Sequence, residues 1–336
     1  MDFQDNYSRG CKACQKGKWL CIFLTYLCNA SCSFCPAPVK NKDIIQSAFG
    51  DNPEVILKYL NQYPFEGLSF SGGESFLVYD RMLTWLDFFK SNKPELYYWA
   101  YTNGIKLSRK QMVGLSKAGL NELRFNIAAS DYCNPSVLKV ISYATDVFEH
   151  VVIEIPSIPE DFDRLIKILP TIDKMGIDYL NLHEYILVPN DPNTKLAPSA
   201  HFLMNFEMKL KYHLASLPNT EKIKSFCMEN SLNIKVNNCS LQKKEYQMVG
   251  RRKTMGTLLK EDYEKLSEDG LLETVYIPKA NHINLLESLK NYHKIDRTNF
   301  IHPDKYSQGR SDAFLLKILP KISIDTPSKV IKFSKI

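Results

Sequence analysis

Residues 28–36 read CNASCSFCP: three cysteines spaced C-x3-C-x2-C, then Pro36. They follow an apolar run, LCIFLTY at 20–26, with the length and aromatic content of a buried strand. Cysteine is common in protein cores, but three at this spacing in one loop at a strand end point to a metal. Iron–sulfur clusters are usually held by four thiolates. Three would leave one iron of a four-iron cluster without a protein ligand, open to a substrate or cofactor. A zinc site completed by a distant residue, or simply buried thiols, remains the alternative reading of the same spacing.

The chain around that loop has 336 residues, 44% of them hydrophobic and 24% charged, so it can bury a sizeable core and is not a disordered tail. Lys and Arg number 43 against 37 Asp and Glu, and the net charge of +6 is a mild excess. The tightest basic cluster, GRRKT around Arg251–Lys253, reads as a solvated face, and nucleic-acid binding has no support. The start, MDFQDNYSRG, is polar and lacks the apolar core of a signal peptide. The longest apolar run, WLCIFLTYLC, is too short to span a bilayer. The expected location is therefore cytoplasmic, where thiols stay reduced. Nine cysteines, six of them before residue 36, then favour metal over disulfides.

Between residues 20 and 190 short apolar runs alternate with amphipathic segments. Strands are expected at 20–26, 67–71, 96–102, 122–128, 150–156 and 178–185. Helices are expected near 53–63, 78–91, 108–118, 135–148 and 161–175, with Gly119 just past the end of the third. Six strands alternating with helices imply parallel βα units. Period-2 alternation sends Leu123, Phe125 and Ile127 one way and Arg124 and Asn126 the other. Glu154, then Asn181 and His183, and Ser69 and Ser71 continue a polar stripe on other strands. A flat parallel sheet covered on both faces would be apolar on both. The stripe instead implies a curved sheet, a partial barrel whose concave side lines a site. VPNDPNTKLAPS, from 188, reads as a linker, and both 200–217 and 219–231 read as helical. The Lys- and Asn-rich tail beyond about 255 has no clear period.

The cysteine loop, with aromatic Phe34 before its last cysteine, resembles the cluster loop of the radical S-adenosylmethionine (SAM) superfamily. That resemblance implies an α/β fold, a partial (β/α)6 radical SAM barrel over 20–190, preceded by an N-terminal segment (1–19) and followed by a C-terminal extension (191–336). It also implies a 4Fe-4S cluster on Cys28, Cys32 and Cys35, whose open iron binds SAM. Gly72-Gly73-Glu74 resembles the family's GGE motif, with Ser75 where members usually have Pro; Glu74 would accept from the SAM amino group. Thr102 and Asn103, in YTNG, and Asn126 would border the methionyl and ribose groups, with Phe34 beside the cofactor.

A second cysteine set lies outside that loop. Cys11 and Cys14 form a CxxC pair three residues before Gly17, and Cys239 stands far downstream in CSLQKKEYQMVGRR. Together with EIPSIP (154–159) and NLHE (181–184), these resemble a largely archaeal branch loosely labelled as related to pyruvate formate-lyase activating enzymes, though that branch has Asn where this chain has His183. The resemblance implies that Cys11, Cys14 and Cys239 meet as ligands of a second iron–sulfur cluster; unliganded thiols are the bland reading. Cys21, Cys133 and Cys227 read as structural. Glu154, His183 and Glu184, with Arg124 and Asn181, are the candidate substrate-pocket and catalytic groups, although Glu154 and Arg124 could equally form a buried ion pair.

Three functions are thus open. The first is a radical SAM enzyme acting on an unidentified small molecule or peptide, served by an electron donor such as a flavodoxin or ferredoxin. The second is an activase-type enzyme acting on a partner protein. The third, of a different class, is a zinc-binding interaction module.

Overall fold

A computed structural model describes residues 7–37, 41–278, 297–306, 313–320 and 328–336. In chain order the first part comprises α1 (Arg9–Gln15), β1 (Trp19–Thr25), β2 (Gln46–Ser47), α2 (Pro53–Gln62), β3 (Gly67–Gly72), α3 (Tyr79–Asn92), β4 (Tyr97–Thr102), α4 (Arg109–Lys117), β5 (Glu122–Phe125), α5 (Pro135–Thr145), β6 (His150–Ser157), α6 (Phe162–Lys174) and β7 (Tyr179–Glu184). There follow β8 (Ser199–Met204), β9 (Met208–His213), α7 (Ser216–Glu229), β10 (Lys235–Cys239) and α8 (Leu241–Leu259). The last part holds β11 (Lys265–Leu266), β12 (Leu272–Tyr276), β13 (Phe300–Ile301), β14 (Phe314–Leu319) and β15 (Lys329–Lys335).

All six expected strands form and pair in parallel in the order β1-β3-β4-β5-β6-β7. Three of the helices between them start on side-chain caps: Asn52 and Asn134 for α2 and α5, each followed by Pro, and a full Ser108–Gln111 capping box for α4. One face of the sheet presents Leu20, Ile22, Leu68, Phe70, Leu123, Phe125, Ile153, Ile155, Leu180 and Leu182 to the helices, and these belong to one apolar core. Each such side chain contributes about 1.5–3 kcal/mol by leaving water. The other face carries the polar stripe. The alternation that predicts a two-faced curved sheet is therefore the one the structure displays.

The parallel sheet does not stop at residue 190. β10 adds a seventh parallel strand beside β7, in register Asn237↔Asn181 and Cys239↔His183. A two-residue stub, β2, closes the opposite edge antiparallel to β1. The segment 200–217, expected to be helical, is instead the β8–β9 hairpin, turning at Asn205 and Phe206 with φ of 50° and 64°. Its Lys209/Lys211 against Leu210/Tyr212 alternation is a period of two, and the Asn at the tip suits the left-handed turn. The second helical stretch does form, as α7.

α1 and α8 lie over the polar face. A Cβ on Gly10 would stand 2.7 Å from Arg124 Nη2. Gly17, with φ of 70°, brings the end of α1 against α8 so closely that a Cβ there would meet Arg251 N at 2.4 Å. The GRRKT cluster is not a solvated face. Arg252 is 1% exposed, donates to Asp269 O, Asn205 and Glu245, and lies over Phe206. Arg251 donates to Trp19 O and lies over Phe49 and Phe65. Both fasten α8 to its surroundings. β11, β12, β14 and β15 form a separate antiparallel sheet, with β13 beside β12, over a small core of Leu272, Tyr276, Phe300, Leu316 and Ile318. No described helix is long and apolar enough to cross a membrane.

Candidate active site

Cys28, Cys32 and Cys35 leave the C-terminal end of β1 on a half-buried loop, and none of the nine cysteines is in a disulfide. The loop's root is tied down first. Leu27 N donates to Thr25 Oγ1 at 3.1 Å, and Thr25 Oγ1 donates to Asp43 Oδ1 at 2.9 Å. Arg81 forks onto Asp43 at 2.6 and 2.9 Å and also reaches Leu24 O. Those contacts hold the Asp43 carboxyl down at about 2, the Arg81 bonds contributing most. Within the loop, Cys35 N donates to Cys32 O and Ala30 N to Cys28 Sγ.

The end of β3 clasps this loop by backbone alone. Gly73 N donates to Thr25 O and Glu74 N to Leu27 O, at 2.8 and 2.7 Å. A Cβ on Gly72, whose φ is 139°, would fall 2.1 Å from Thr25 O, and one on Gly73 2.2 Å from Leu27 O. The two glycines thus serve the contact between β3 and the cysteine loop, not only the approach of a ligand. Glu74 is 2% exposed and accepts from Thr102 Oγ1, Asn103 N and Phe76 N. Burial pushes its carboxyl up, against those three donors. Asn103 Nδ2 donates to Asn29 Oδ1 at 2.7 Å and reaches Cys28 Sγ at 3.9 Å. Asn126 accepts from Ala129 N, capping the turn after β5. Thr102, Asn103 and Glu74 therefore lie together at the mouth, linked to the first cysteine, with Asn126 at the next strand end, where Asn126 N donates to Thr102 O.

A cavity of about 360 Å³ opens beside this loop, lined by Cys32, Phe34, Ala129, Ile158, Asp161 and Tyr185 among others. Phe34 packs against the small apolar cluster of Ile158, Tyr185 and Leu187.

The second cysteine set converges on the polar face under α1 and α8. Cys11 Sγ accepts from Asn181 Nδ2 at 3.3 Å and from Arg124 Nη2 at 3.6 Å. Cys14 Sγ lies 3.5 Å from Gln247 Oε1 of α8. Cys239 comes in on β10, next to His183. Burial pushes all three thiols up, Cys14 to about 12; Cys11 raises Cys14 further, and Cys11 and Cys14 both raise Cys239. The three thiols thus act on one another, while Arg124 and Lys244 oppose the rise.

Glu154 is the hub of that chamber. Its carboxylate accepts from Arg124 at 2.7 Å, Asn181 at 3.0 Å and His183 Nε2 at 2.6 Å. Burial opposes its charge, but Arg124 and then His183 hold it well below the usual carboxylate range. Arg124 is 3% exposed, is also paired with Glu122 at 2.5 Å, and lies over Trp99 and Tyr101. The Glu154–Arg124 ion pair is therefore present. Burial, then Lys244, lowers His183, against the opposing pull of Glu154. Glu184 faces away from this hub: it accepts from Leu241 N at the start of α8.

Cys227 is buried in the main core, as expected, whereas Cys133 is exposed. Cys21 faces the chamber side and is bonded to Ser69 and Ser71. Lys244 and Gln247 are chamber residues that sequence reasoning passed over; their spacing of three on a helix following Cys239 was the available signal.

Residues 15–122 match a family model described as a 4Fe-4S single cluster domain. Across 279 residues the chain is 25% identical to a Methanocaldococcus jannaschii protein named as a candidate glycyl-radical enzyme activating enzyme, covering 80% of this chain and 72% of that one. The family match spans Cys28, Cys32 and Cys35 together with Gly72-Gly73-Glu74 and Thr102-Asn103. Among solved structures it is similar to SuiB of Streptococcus suis bound to S-adenosylmethionine: 16% identity, a TM-score of 0.48, and a match spanning 66% of this chain and 50% of SuiB. The matched family is described by one 4Fe-4S cluster, and the similar SuiB structure has S-adenosylmethionine bound.

The residues at the barrel mouth fit those groups. The Cys28 sulfur already receives N–H donors, as a cluster thiolate does, and Asn29 Nδ2 is buried there without a partner among the described residues. No three His, Cys, Asp or Glu side chains among the described residues stand close enough to share one metal ion. A cluster several atoms across takes its thiolates from farther apart.

Proposed function

We propose that Cys28, Cys32 and Cys35 hold the 4Fe-4S cluster at the barrel mouth, and that SAM lies between that cluster and the cavity beside Phe34. When bound and reduced, the cluster supplies the electron that cleaves SAM's carbon–sulfur bond, yielding a 5′-deoxyadenosyl radical that abstracts hydrogen from substrate. The chain's own part is positional. Phe34 and Ile158 offer an apolar wall to the nucleoside, and Asn126 a polar edge to the ribose. Glu74, held by Thr102 and Asn103, keeps the strand ends against the cluster loop and has lone-pair capacity for the SAM amine. The carrying observation is the backbone clasp between Gly72-Gly73-Glu74 and the loop that bears the three thiols.

Cys11, Cys14 and Cys239 are the proposed seat of a second iron–sulfur cluster inside the barrel, where the substrate of the radical would face it. What supports this is that three thiols from α1 and β10 converge beside the cations Arg124 and Lys244. Buried thiols so raised stay protonated unless a metal takes their protons' place. Glu154 and His183, at the chamber's centre, are the proposed substrate-facing groups, and Glu184 a positioning residue that anchors α8.

A second reading makes the substrate a partner protein. It is supported by the name of the Methanocaldococcus relative. Exposed Leu196, Leu203 and Met208, on and beside the β8–β9 hairpin, would be contact points. In either case a flavodoxin or ferredoxin is the proposed donor and the cytoplasm the proposed location.

The test is anaerobic reconstitution with iron and sulfide, reduction with dithionite, and chromatography for 5′-deoxyadenosine. Product is expected from the wild-type chain and none from Cys28→Ala, Cys32→Ala or Cys35→Ala. A fully reconstituted wild-type sample that leaves SAM intact would overturn the reading.

A further inference from the structure

The inner chamber contains a nitrogen with no assigned task. Glu154 is paired with Arg124 at 2.7 Å, so its carboxylate is ionised and can only accept. The 2.6 Å contact between Glu154 Oε1 and His183 Nε2 therefore places the imidazole proton on Nε2. The opposite nitrogen, Nδ1, is left with a bare lone pair. It is buried and has no hydrogen-bond partner among the described residues. Leaving a buried acceptor unsatisfied is unfavourable enough that a further partner is expected there.

The strand register says what stands nearby. His183 on β7 pairs with Cys239 on β10, and side chains at paired positions of parallel strands share a face. Two residues earlier in the same register, Asn237 Nδ2 donates to Asn181 Oδ1 at 2.9 Å, so neighbours on these two strands do meet on the chamber side. The network that orients the imidazole also orients a thiol: Arg124 and Asn181 both donate to Glu154 and both donate to Cys11 Sγ. A carboxylate bonded to the far nitrogen of a histidine is the usual support of a metal-ligating imidazole.

We infer that His183 Nδ1 is the fourth ligand of the inner site, so that Cys11, Cys14, Cys239 and His183 together hold a histidine-ligated iron–sulfur cluster. This rests on the second-cluster reading above. The ligation is a donation of the Nδ1 lone pair to iron. The Nε2 proton stays on the bond to Glu154, and no electron moves.

The experiment uses the full chain carrying Cys28→Ala, Cys32→Ala and Cys35→Ala, which removes the mouth cluster, reconstituted with iron and sulfide after growth on 15N-histidine. Iron and sulfide should be retained, and pulsed electron paramagnetic resonance of the reduced protein should show a directly bound histidine nitrogen. His183→Gln should abolish that coupling. His183→Cys should keep the iron, lose the nitrogen coupling and lower the reduction potential, because a thiolate donates more charge than an imidazole. Retained iron without nitrogen coupling, or coupling that survives His183→Gln, overturns the histidine ligand and leaves the second cluster standing. No iron in the triple variant overturns the second cluster and the histidine ligand together, without touching the radical SAM reading of the mouth. The 15N-labelled wild-type chain supplies the same nitrogen signature should a variant not fold.

Discussion

The two cysteine sets are held in opposite ways. Cys28, Cys32 and Cys35 come from one loop, half open to solvent, whose shape is set by backbone bonds to the end of β3. Cys11, Cys14 and Cys239 come from elements more than two hundred residues apart, and they meet only because α1 and α8 close over a buried charged network. A loop of the first kind can change its thiols without disturbing the fold. A chamber of the second kind is part of the fold, and its thiols cannot be separated from the stability of what surrounds them.

The largest effect should come from the mouth. Replacing its three cysteines with Ala should abolish 5′-deoxyadenosine formation while circular dichroism and the urea midpoint of the metal-free protein stay near wild type. A large loss of stability would erase the contrast drawn above. Next comes Arg124→Met, which strands Glu122 and Glu154 without their cation. Breaking a buried pair in this way costs about 3–5 kcal/mol, to be read from urea unfolding. A loss below 1 kcal/mol would mean that the chamber is wet and loosely held.

Gly17→Ala tests the closure of α1 against α8. It forces a side chain into φ of 70° and against Arg251 N. A cost of about 1–3 kcal/mol is expected, with iron at the proposed inner site lost before iron at the mouth; equal loss from both would show the two sets to be coupled. The smallest effect belongs to Asp43. Its folded-state carboxyl is lowered from 3.8 to about 2, so its contribution is full above pH 4 and disappears as pH falls from about 4 towards 2. Asp43 is 44% exposed, so the amount is at most about 1 kcal/mol. Asp43→Asn should remove that portion of the acid dependence, measured as the change in urea midpoint between pH 5 and pH 3.

Much of this was readable in advance because strands that carry function here alternate cleanly. Leu123, Phe125 and Ile127 against Arg124 and Asn126 announce a sheet with one polar face, and the motif residues fall at consecutive strand ends. What escaped was set by contacts at long range. Arg251 and Arg252 look like a basic surface in a linear reading, yet the partners that bury them, Phe49, Phe65, Asp269 and Glu245, are scattered along the chain. Residues 200–217 suggest a helix in a linear reading, yet the two-residue period of 209–212 and the turn at Asn205 make them the β8–β9 hairpin. For Glu154 the sequence fits both an ion pair and a catalyst, and its three donors account for the ion pair without removing it from the chamber's centre.

The meeting of Gly17 with Arg251 has a consequence for how the molecule is made. It joins the beginning of the parallel sheet to a helix synthesised after its last strand, a pairing of very high sequence separation. Until residue 259 has been added and α8 can dock, Cys11, Cys14 and Cys239 face water. Should the interior hold iron as proposed, that iron would have to enter before α8 docks, whereas the half-buried mouth loop leaves its thiols within reach of solvent in the finished fold.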